Sequence, residues 1–187
     1  MHVHRFEKIW FGAALLLIGA FVATIVYGAV GPGVAMVDDS GGTIDASAVA
    51  DGEFDRMDNF REPGVYREDD GLHVYVVARQ FLFEPGTAEA VEVPAGEQVT
   101  FHVTSADVTH GFNLAGTNVN TMVIPGQVSE FSVTFDEAGS YGIVCHEYCG
   151  SGHHTMAGSL EVVPQSQFDV EPDTSDARAA SGGTDGD

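Results

Sequence analysis

Four side chains that commonly bind soft metals lie within one short stretch of this sequence. Residues 145–156 read CHEYCGSGHHTM, so two cysteines four residues apart are followed by His153 and then by Met156. Thiolate, imidazole and thioether together select copper over magnesium or calcium, and zinc has no need of a thioether. The stretch follows an apolar strand and contains two glycines, which favours a loop that turns these side chains toward one point. It therefore predicts a copper site.

The second cysteine bears on how many metal ions this site holds. One Cys, two His and one Met would describe a mononuclear blue-copper site. Two neighbouring thiolates can each bridge two copper ions, and each ion then needs an imidazole of its own. The best candidate for the second imidazole is His110, in the run SADVTHGF, because Gly111 beside it permits close backbone approach. The residues thus favour a two-copper electron-transfer centre that has no open position for a substrate.

Other interpretations of these residues stay open. Cys145 and Cys149 could form a disulfide, because a compartment outside the membrane is oxidising, and the Cys-x3-Cys spacing alone slightly favours that. The added His and Met donors favour metal. His154 is the rival of His153 as a ligand, and His146 is expected to point elsewhere.

An apolar segment near the N-terminus is long enough to cross a membrane. Residues 9–30 read IWFGAALLLIGAFVATIVYGAV, and as a helix they would span about 33 Å. Trp10 and Tyr27 lie near its ends, where interfacial aromatic side chains are common. A cleaved signal peptide is the alternative, but its apolar region is typically only about 7–15 residues long. We expect a retained, single-pass anchor.

The charges that flank this segment predict its orientation. Arg5 and Lys8 precede it, whereas Asp38 and Asp39 follow it. The positive-inside rule therefore places residues 1–8 in the cytoplasm and the rest of the chain outside the cell membrane.

The remainder of the chain divides by composition. An acidic linker is predicted over 31–70, a folded domain over 71–164 and a disordered acidic tail over 165–187. Short runs with alternating apolar residues recur in the folded part and predict strands. These runs are 72–79, 91–93, 98–105, 128–135, 140–145 and 158–163. Their number and spacing predict an all-β fold, an antiparallel sandwich or barrel of Greek-key type.

The charge balance excludes one class of partner. Seven Lys and Arg stand against 28 Asp and Glu, which gives a net charge of −21. Nucleic-acid binding needs a basic surface, so it is not expected. With Lys8 as its single lysine, the chain has the composition of a protein adapted to high salt, and a halophilic source is predicted.

Two runs carry a resemblance to a known family. The sequences THGFNLAGTNVNTMVIPGQ (109–127) and SYGIVCHEYCGSGHHTMAGSLEV (140–162) closely resemble subunit II of haem–copper cytochrome oxidases, and the match covers nearly all of 72–163. The single anchor is most similar to the ba3-type subgroup. The resemblance implies a cupredoxin-like β-sandwich with a dinuclear copper centre, CuA.

The resemblance also implies a role for each candidate ligand. Both cysteines would bridge the coppers, one copper would take His110 with a weak axial Met156, and the other would take His153 and the backbone carbonyl of Glu147. In many family members an acid at the Glu147 position also helps to hold magnesium at the interface with subunit I, although the ba3 subgroup generally lacks that acid.

The implied function is electron entry into a terminal oxidase. Cytochrome c or a small blue-copper protein would reduce CuA, which would pass the electron to haem in subunit I, where dioxygen becomes water. Membrane lipid would surround the anchor, and Glu7 could lie at the mouth of a proton pathway. Phe81 and Phe83 are candidates for a donor-facing patch, although such residues are more often core. The alternatives are a stand-alone copper electron carrier and a CuA-bearing nitric oxide reductase subunit.

Overall fold

The computed structural model describes residues 4–30 and 40–170, which fall into two units. The first is the helix α1 (Arg5–Val30), in which every described side chain from Arg5 to Tyr27 is exposed. Among the residues that the structure describes, none buries its long apolar side chains. Among the described residues, α1 is the one helix long and apolar enough to cross a membrane, and it begins four residues before the predicted segment.

Glu7 lies in the first turn of α1. Its carboxylate accepts a hydrogen bond from the backbone N–H of His4 at 2.9 Å. Acidic side chains are favourable at this end of a helix because the first N–H groups have no partner within the helix. This contact gives Glu7 a structural role, and a part in a proton pathway stays a prediction.

The second unit is a sandwich of two five-stranded sheets, which confirms the predicted all-β class. The first sheet contains β1 (Gly64–Glu68), β2 (Gly71–Arg79), β3 (Leu82–Glu84), β5 (Gln98–Ser105) and β8 (Ser129–Thr134), and the second contains β4 (Val91–Pro94), β6 (His110–Leu114), β7 (Asn120–Val123), β9 (Gly139–Val144) and β10 (Ala157–Val163). The first sheet has the order β1-β2-β5-β8 with β3 beside β2, and the second has the order β4-β10-β9-β6-β7.

The pairing within the sheets is mixed rather than antiparallel throughout. β2 and β5 run parallel, as do β4 and β10, while the other pairs are antiparallel. After β2 and β3 the chain crosses to the other sheet as β4 before it returns as β5, and such a crossover allows parallel neighbours. The six predicted strands are present within one or two residues of their predicted ends, and β1, β3, β6 and β7 were not predicted.

An aromatic cluster fills the space between the sheets. Phe112 on β6 contacts Phe101, Phe131 and Phe83 of the first sheet, with ring centroids 5.7–6.3 Å apart. Phe83 is only 1 % exposed, so it belongs to the core and not to a surface patch. Burial of aromatic rings of this size is a large share of what holds two sheets together.

The outer face of the first sheet is covered by residues that were predicted to be linker. The helix α2 (Ala46–Asp51) begins at Asp45, whose carboxylate accepts a hydrogen bond from the backbone N–H of Ser47. Val49 and Phe60 are almost fully buried and pack with Tyr75 and Val77 of β2.

The prediction of a linker over 31–70 is therefore wrong for its described part, since 40–63 forms a covering layer and 64–68 is a strand. Scattered apolar residues in an acidic, glycine-rich stretch carry no periodic signal, yet they bury well once a sheet face is available. Residues 1–3, 31–39 and 171–187, including most of the predicted tail, lie outside the described residues.

Candidate metal centre

Three neighbouring strands of the second sheet converge at one end on the predicted ligands. β9 ends immediately before Cys145, β10 begins immediately after Met156, and β6 begins at His110. The backbone N–H of Cys145 donates to the carbonyl of Met156, which extends the β9–β10 ladder by one pair. The chain between these two residues forms a loop closed by a short 3-10 turn, His153–Thr155.

The structure places the sulfur atoms of Cys145 and Cys149 beside each other and brings the four other predicted donor groups next to them. The Sγ atoms of Cys145 and Cys149 are 3.8 Å apart, and both cysteines are free thiols. A disulfide bond would require about 2.05 Å between the sulfurs. Each thiol has an imidazole beside it: His110 Nδ1 lies 3.8 Å from Cys145 Sγ, and His153 Nδ1 lies 3.6 Å from Cys149 Sγ.

Two weaker donors complete the arrangement. The backbone carbonyl of Glu147 lies 3.2 Å from Cys145 Sγ, and Met156 Sδ lies 3.6 Å from Cys149 Sγ. Both cysteines, His110 and Met156 are buried. Two thiols, two imidazoles, a thioether and a carbonyl fit a pair of soft ions such as copper, and they do not fit magnesium or calcium.

One edge of the centre reaches the protein surface. His153 is half-buried, and its ring lies 5.8 Å from that of Tyr148, which is 78 % exposed. His154, the rival of His153, is exposed and does not join the cluster. His146 does not join it either, since its ring packs against Gly111, where no side chain would fit.

Asp107 orients the ring of His110. Its Oδ1 atom accepts a hydrogen bond from His110 Nε2 at 2.7 Å, which turns Nδ1 toward the thiols. A carboxylate on the far nitrogen is the usual way to fix the tautomer of a metal-binding histidine. Asp107 is itself held by the backbone N–H groups of Gln80 and Val108. Burial raises the pKa of Asp107, but these three hydrogen bonds outweigh burial and leave that pKa below its ordinary value.

The protonation of Cys149 reflects an apolar setting. Burial, and after it the neighbouring thiol of Cys145, raise the pKa of Cys149 to about 11. Without a cation the thiol is therefore neutral at pH 7. Metal ions bind the thiolate, so binding at this centre must release protons.

Asp107 and Gln80 are residues that motif analysis of the sequence did not single out. The side chain of Gln80 donates a hydrogen bond to the carbonyl of Cys149 and so ties the ligand loop to the first sheet. Phe81 packs against Gly150 and Gly152 of the same loop, where a larger residue would collide with its ring. Phe81 therefore supports the loop. The position of Asp107, three residues before His110, was the only available signal for its role.

We expect Asp107→Asn to weaken metal binding without unfolding the domain. Asparagine keeps the shape but removes the charge that holds the His110 ring, and the loss of such a partner costs about 10–100-fold in metal affinity. Copper affinity of the purified full-length chain, measured against a competing chelator, checks this. The exposed Asp136→Asn is the matched control and should not change the affinity. An unchanged affinity in Asp107→Asn would contradict the orienting role.

Comparisons with known proteins agree with this geometry. Residues 72–163 match the model of the family described as cytochrome c oxidase subunit II, periplasmic domain. A cytochrome c oxidase subunit 2 from Thermus thermophilus is 34 % identical over 168 residues, which cover 84 % of this chain and 91 % of that protein. A second Thermus thermophilus protein of the same name is 46 % identical over 89 residues, or 48 % of this chain and 64 % of that protein.

A solved structure extends the likeness to three dimensions. A chain of a haem–copper terminal oxidase dimer, determined by cryo-electron microscopy, is 32 % identical and superposes with a TM-score of 0.61. The match covers 85 % of this chain and the whole of that chain. The β-sandwich therefore has the fold of this family of domains.

Proposed function

Because the chain belongs to the cytochrome c oxidase subunit II family, we propose that its β-sandwich is the electron-entry module of a terminal oxidase. The family makes the protein a subunit of a haem–copper oxidase, an oxidoreductase whose catalytic centre lies in subunit I. Subunit I is thereby implied as its partner. Electrons from a soluble donor would enter at this chain and continue to haem in subunit I, where dioxygen is reduced to water.

The observation that carries the proposal is the pair of thiols with an imidazole beside each. His110, Cys145, Cys149, His153 and Met156, with the carbonyl of Glu147, are the proposed ligands of a CuA centre. Two coppers bound by these residues would supply one-electron exchange. Ligands fixed on strand ends and a tied loop change position little when charge changes, which is what fast electron exchange requires.

The chain's other features support the direction of electron flow. Tyr148 and the edge of His153 form the exposed side of the centre and are proposed to face the donor, either cytochrome c or a small blue-copper protein. We propose that α1 anchors the chain in the lipid of the cell membrane with its N-terminus in the cytoplasm. The β-sandwich would then lie outside the membrane.

Copper content tests the proposal directly. The full-length chain, purified in detergent and loaded with copper, is expected to bind two coppers and to show a seven-line mixed-valence signal in electron paramagnetic resonance. One copper with a four-line signal would instead identify a stand-alone blue-copper carrier. Co-purification with a haem-containing subunit, and turnover of dioxygen rather than nitric oxide, would separate a terminal oxidase from a nitric oxide reductase.

Three finer assignments stay proposals. The single anchor supports a ba3-like subgroup, which the haem types of the co-purified subunit would test. A magnesium role for the Glu147 carboxylate would be tested by the manganese signal of Glu147→Gln in the assembled complex. The acidic excess supports a halophilic source, and a fold that fails to gain stability in molar KCl would contradict it.

A further inference from the structure

A second group of metal-binding side chains lies on the outer face of the first sheet. His73 near the start of β2 is within reach of Asp70 and Glu68, and one potential ligand atom from each residue lies within 4.8 Å of the others. β2 runs from His73 toward Gln80 at the copper end of the sandwich, seven residues or about 23 Å away. The group shares no residue with the proposed copper centre.

Strand register lines up a continuous polar row on this face. His73 and Tyr75 alternate onto the same side of β2, and Tyr75 is paired with His102 on β5. His102 is paired in turn with Glu130 on β8. The rings of His73 and His102 stack with centroids 5.2 Å apart, and each residue is only 8 % exposed. Two buried histidines in contact need their nitrogen atoms to be consistently paired.

The interatomic distances describe a continuous row of polar contacts from one carboxylate to another. Asp70 Oδ1 lies 3.1 Å from His73 Nε2, and His73 Nδ1 lies 2.9 Å from His102 Nε2. At the far end, His102 Nδ1 is 3.4 Å from Glu130 Oε2, yet this buried atom makes no hydrogen bond with any residue that the structure describes.

When both histidines are neutral, this row of polar contacts leaves two hydrogen-bond acceptors facing each other. If His73 donates from Nε2 to Asp70, its Nδ1 must accept from His102 Nε2. His102 Nδ1 is then a bare lone pair that faces the carboxylate of Glu130. The buried Nδ1 lone pair of His102 then opposes a partly exposed carboxylate without a hydrogen between them, which is unfavourable for the buried atom.

A cation at His73 Nε2 removes the conflict. With the Nε2 lone pair on a metal, His73 Nδ1–H donates to His102 Nε2. His102 then carries its hydrogen on Nδ1, where it points toward Glu130. In metal sites, a bound histidine usually donates a hydrogen bond from its other ring nitrogen.

We propose that Glu68, Asp70 and His73 bind a divalent cation of the Zn²⁺ class, and that His102 and Glu130 orient His73. One imidazole and two carboxylates suit zinc, with water in the remaining position. Arg61 and Tyr75 contact one carboxylate oxygen of Glu68, which leaves the other for the ion.

The surroundings provide room and charge for this ion. Asp70 is 79 % exposed, and the donors border an open cleft of about 590 Å³ that gives access from solvent. Among the described residues that border this cleft, the carboxylates of Glu68, Asp70 and Glu130 outnumber the guanidinium of Arg61. The site therefore has a net negative charge to offset that of a divalent ion.

Zinc titration of the copper-loaded full-length chain in detergent tests the site, because copper then occupies the other thiol and imidazole ligands. We expect one Zn²⁺ per chain, measured by calorimetry and by metal content after dialysis. His73→Gln and Asp70→Asn should each weaken zinc binding at least about tenfold. Asp69→Asn, which changes the adjacent exposed acid, is the matched control and should leave zinc affinity unchanged.

Each other outcome would overturn the proposal. These outcomes are no zinc uptake, uptake that is insensitive to both variants, and equal weakening by Asp69→Asn, which would indicate diffuse binding to an acidic surface. If His73→Gln does not fold, Asp70→Asn still decides the question, because an exposed side chain is not required for folding. The copper signal should be unaffected throughout, so failure here is separate from failure of the proposed electron-entry function.

Discussion

Cys149→Ser is expected to abolish the mixed-valence copper signal and electron entry. The Cys149 sulfur contacts three other donor atoms of the centre, within 3.6–3.8 Å of Cys145 Sγ, His153 Nδ1 and Met156 Sδ. A serine hydroxyl is a hard donor that stays protonated at pH 7, and its shorter side chain cannot reach two soft ions. Oxidase activity with a soluble donor should fall by more than about a hundredfold. This loss exceeds the one expected when a side chain that only hydrogen-bonds to a metal ligand is removed.

Electron paramagnetic resonance separates this result from simple unfolding. The variant should show no seven-line pattern, while its circular dichroism in the near ultraviolet stays that of the native domain. Met156→Leu is the matched control because it changes a weak donor of the same cluster. It should keep both coppers and shift only the reduction potential. A seven-line pattern in Cys149→Ser would refute the shared-thiolate bridge.

The ligand loop was predictable because most of its donors are local in sequence. Cys145, Cys149, His153 and Met156 fall within twelve residues, so their shared capacity to bind a soft metal can be recognised without knowledge of the fold. His110 was reached by counting, since two bridging thiolates call for two imidazoles. The structure places its Nδ1 atom 3.8 Å from Cys145 Sγ, and its role as a ligand stays a prediction.

The supporting residues were not predictable in the same way. Asp107 matters only because the start of β6 turns the far nitrogen of His110 toward it, and no spacing rule encodes a ring orientation. The His73–His102 pair depends on which strands are neighbours. Alternating apolar residues identify a strand but not its partner, so the parallel contact of β2 and β5 could not be inferred.

The covering layer over residues 40–63 was likewise not predictable from the sequence, and its contribution to stability can be tested by substitution. Phe60→Ala should cost about 3–5 kcal/mol of unfolding free energy, the range for removing a buried aromatic side chain. Phe60 is 1 % exposed and packs edge-on against Tyr75 with ring centroids 5.3 Å apart. Alanine would leave a cavity between this layer and β2.

Guanidinium unfolding of the copper-free full-length chain, followed by circular dichroism in the near ultraviolet, measures this cost. Phe54→Ala is the matched control, because Phe54 contacts the same cluster but is only partly buried, and it should cost markedly less. A flexible linker would tolerate both changes within about 0.5 kcal/mol, as surface substitutions do. A small effect of Phe60→Ala would therefore restore the linker interpretation. A large effect would make the layer part of the cooperative fold, and it would explain how His73 and His102 stay buried on a sheet face that no other described strand covers.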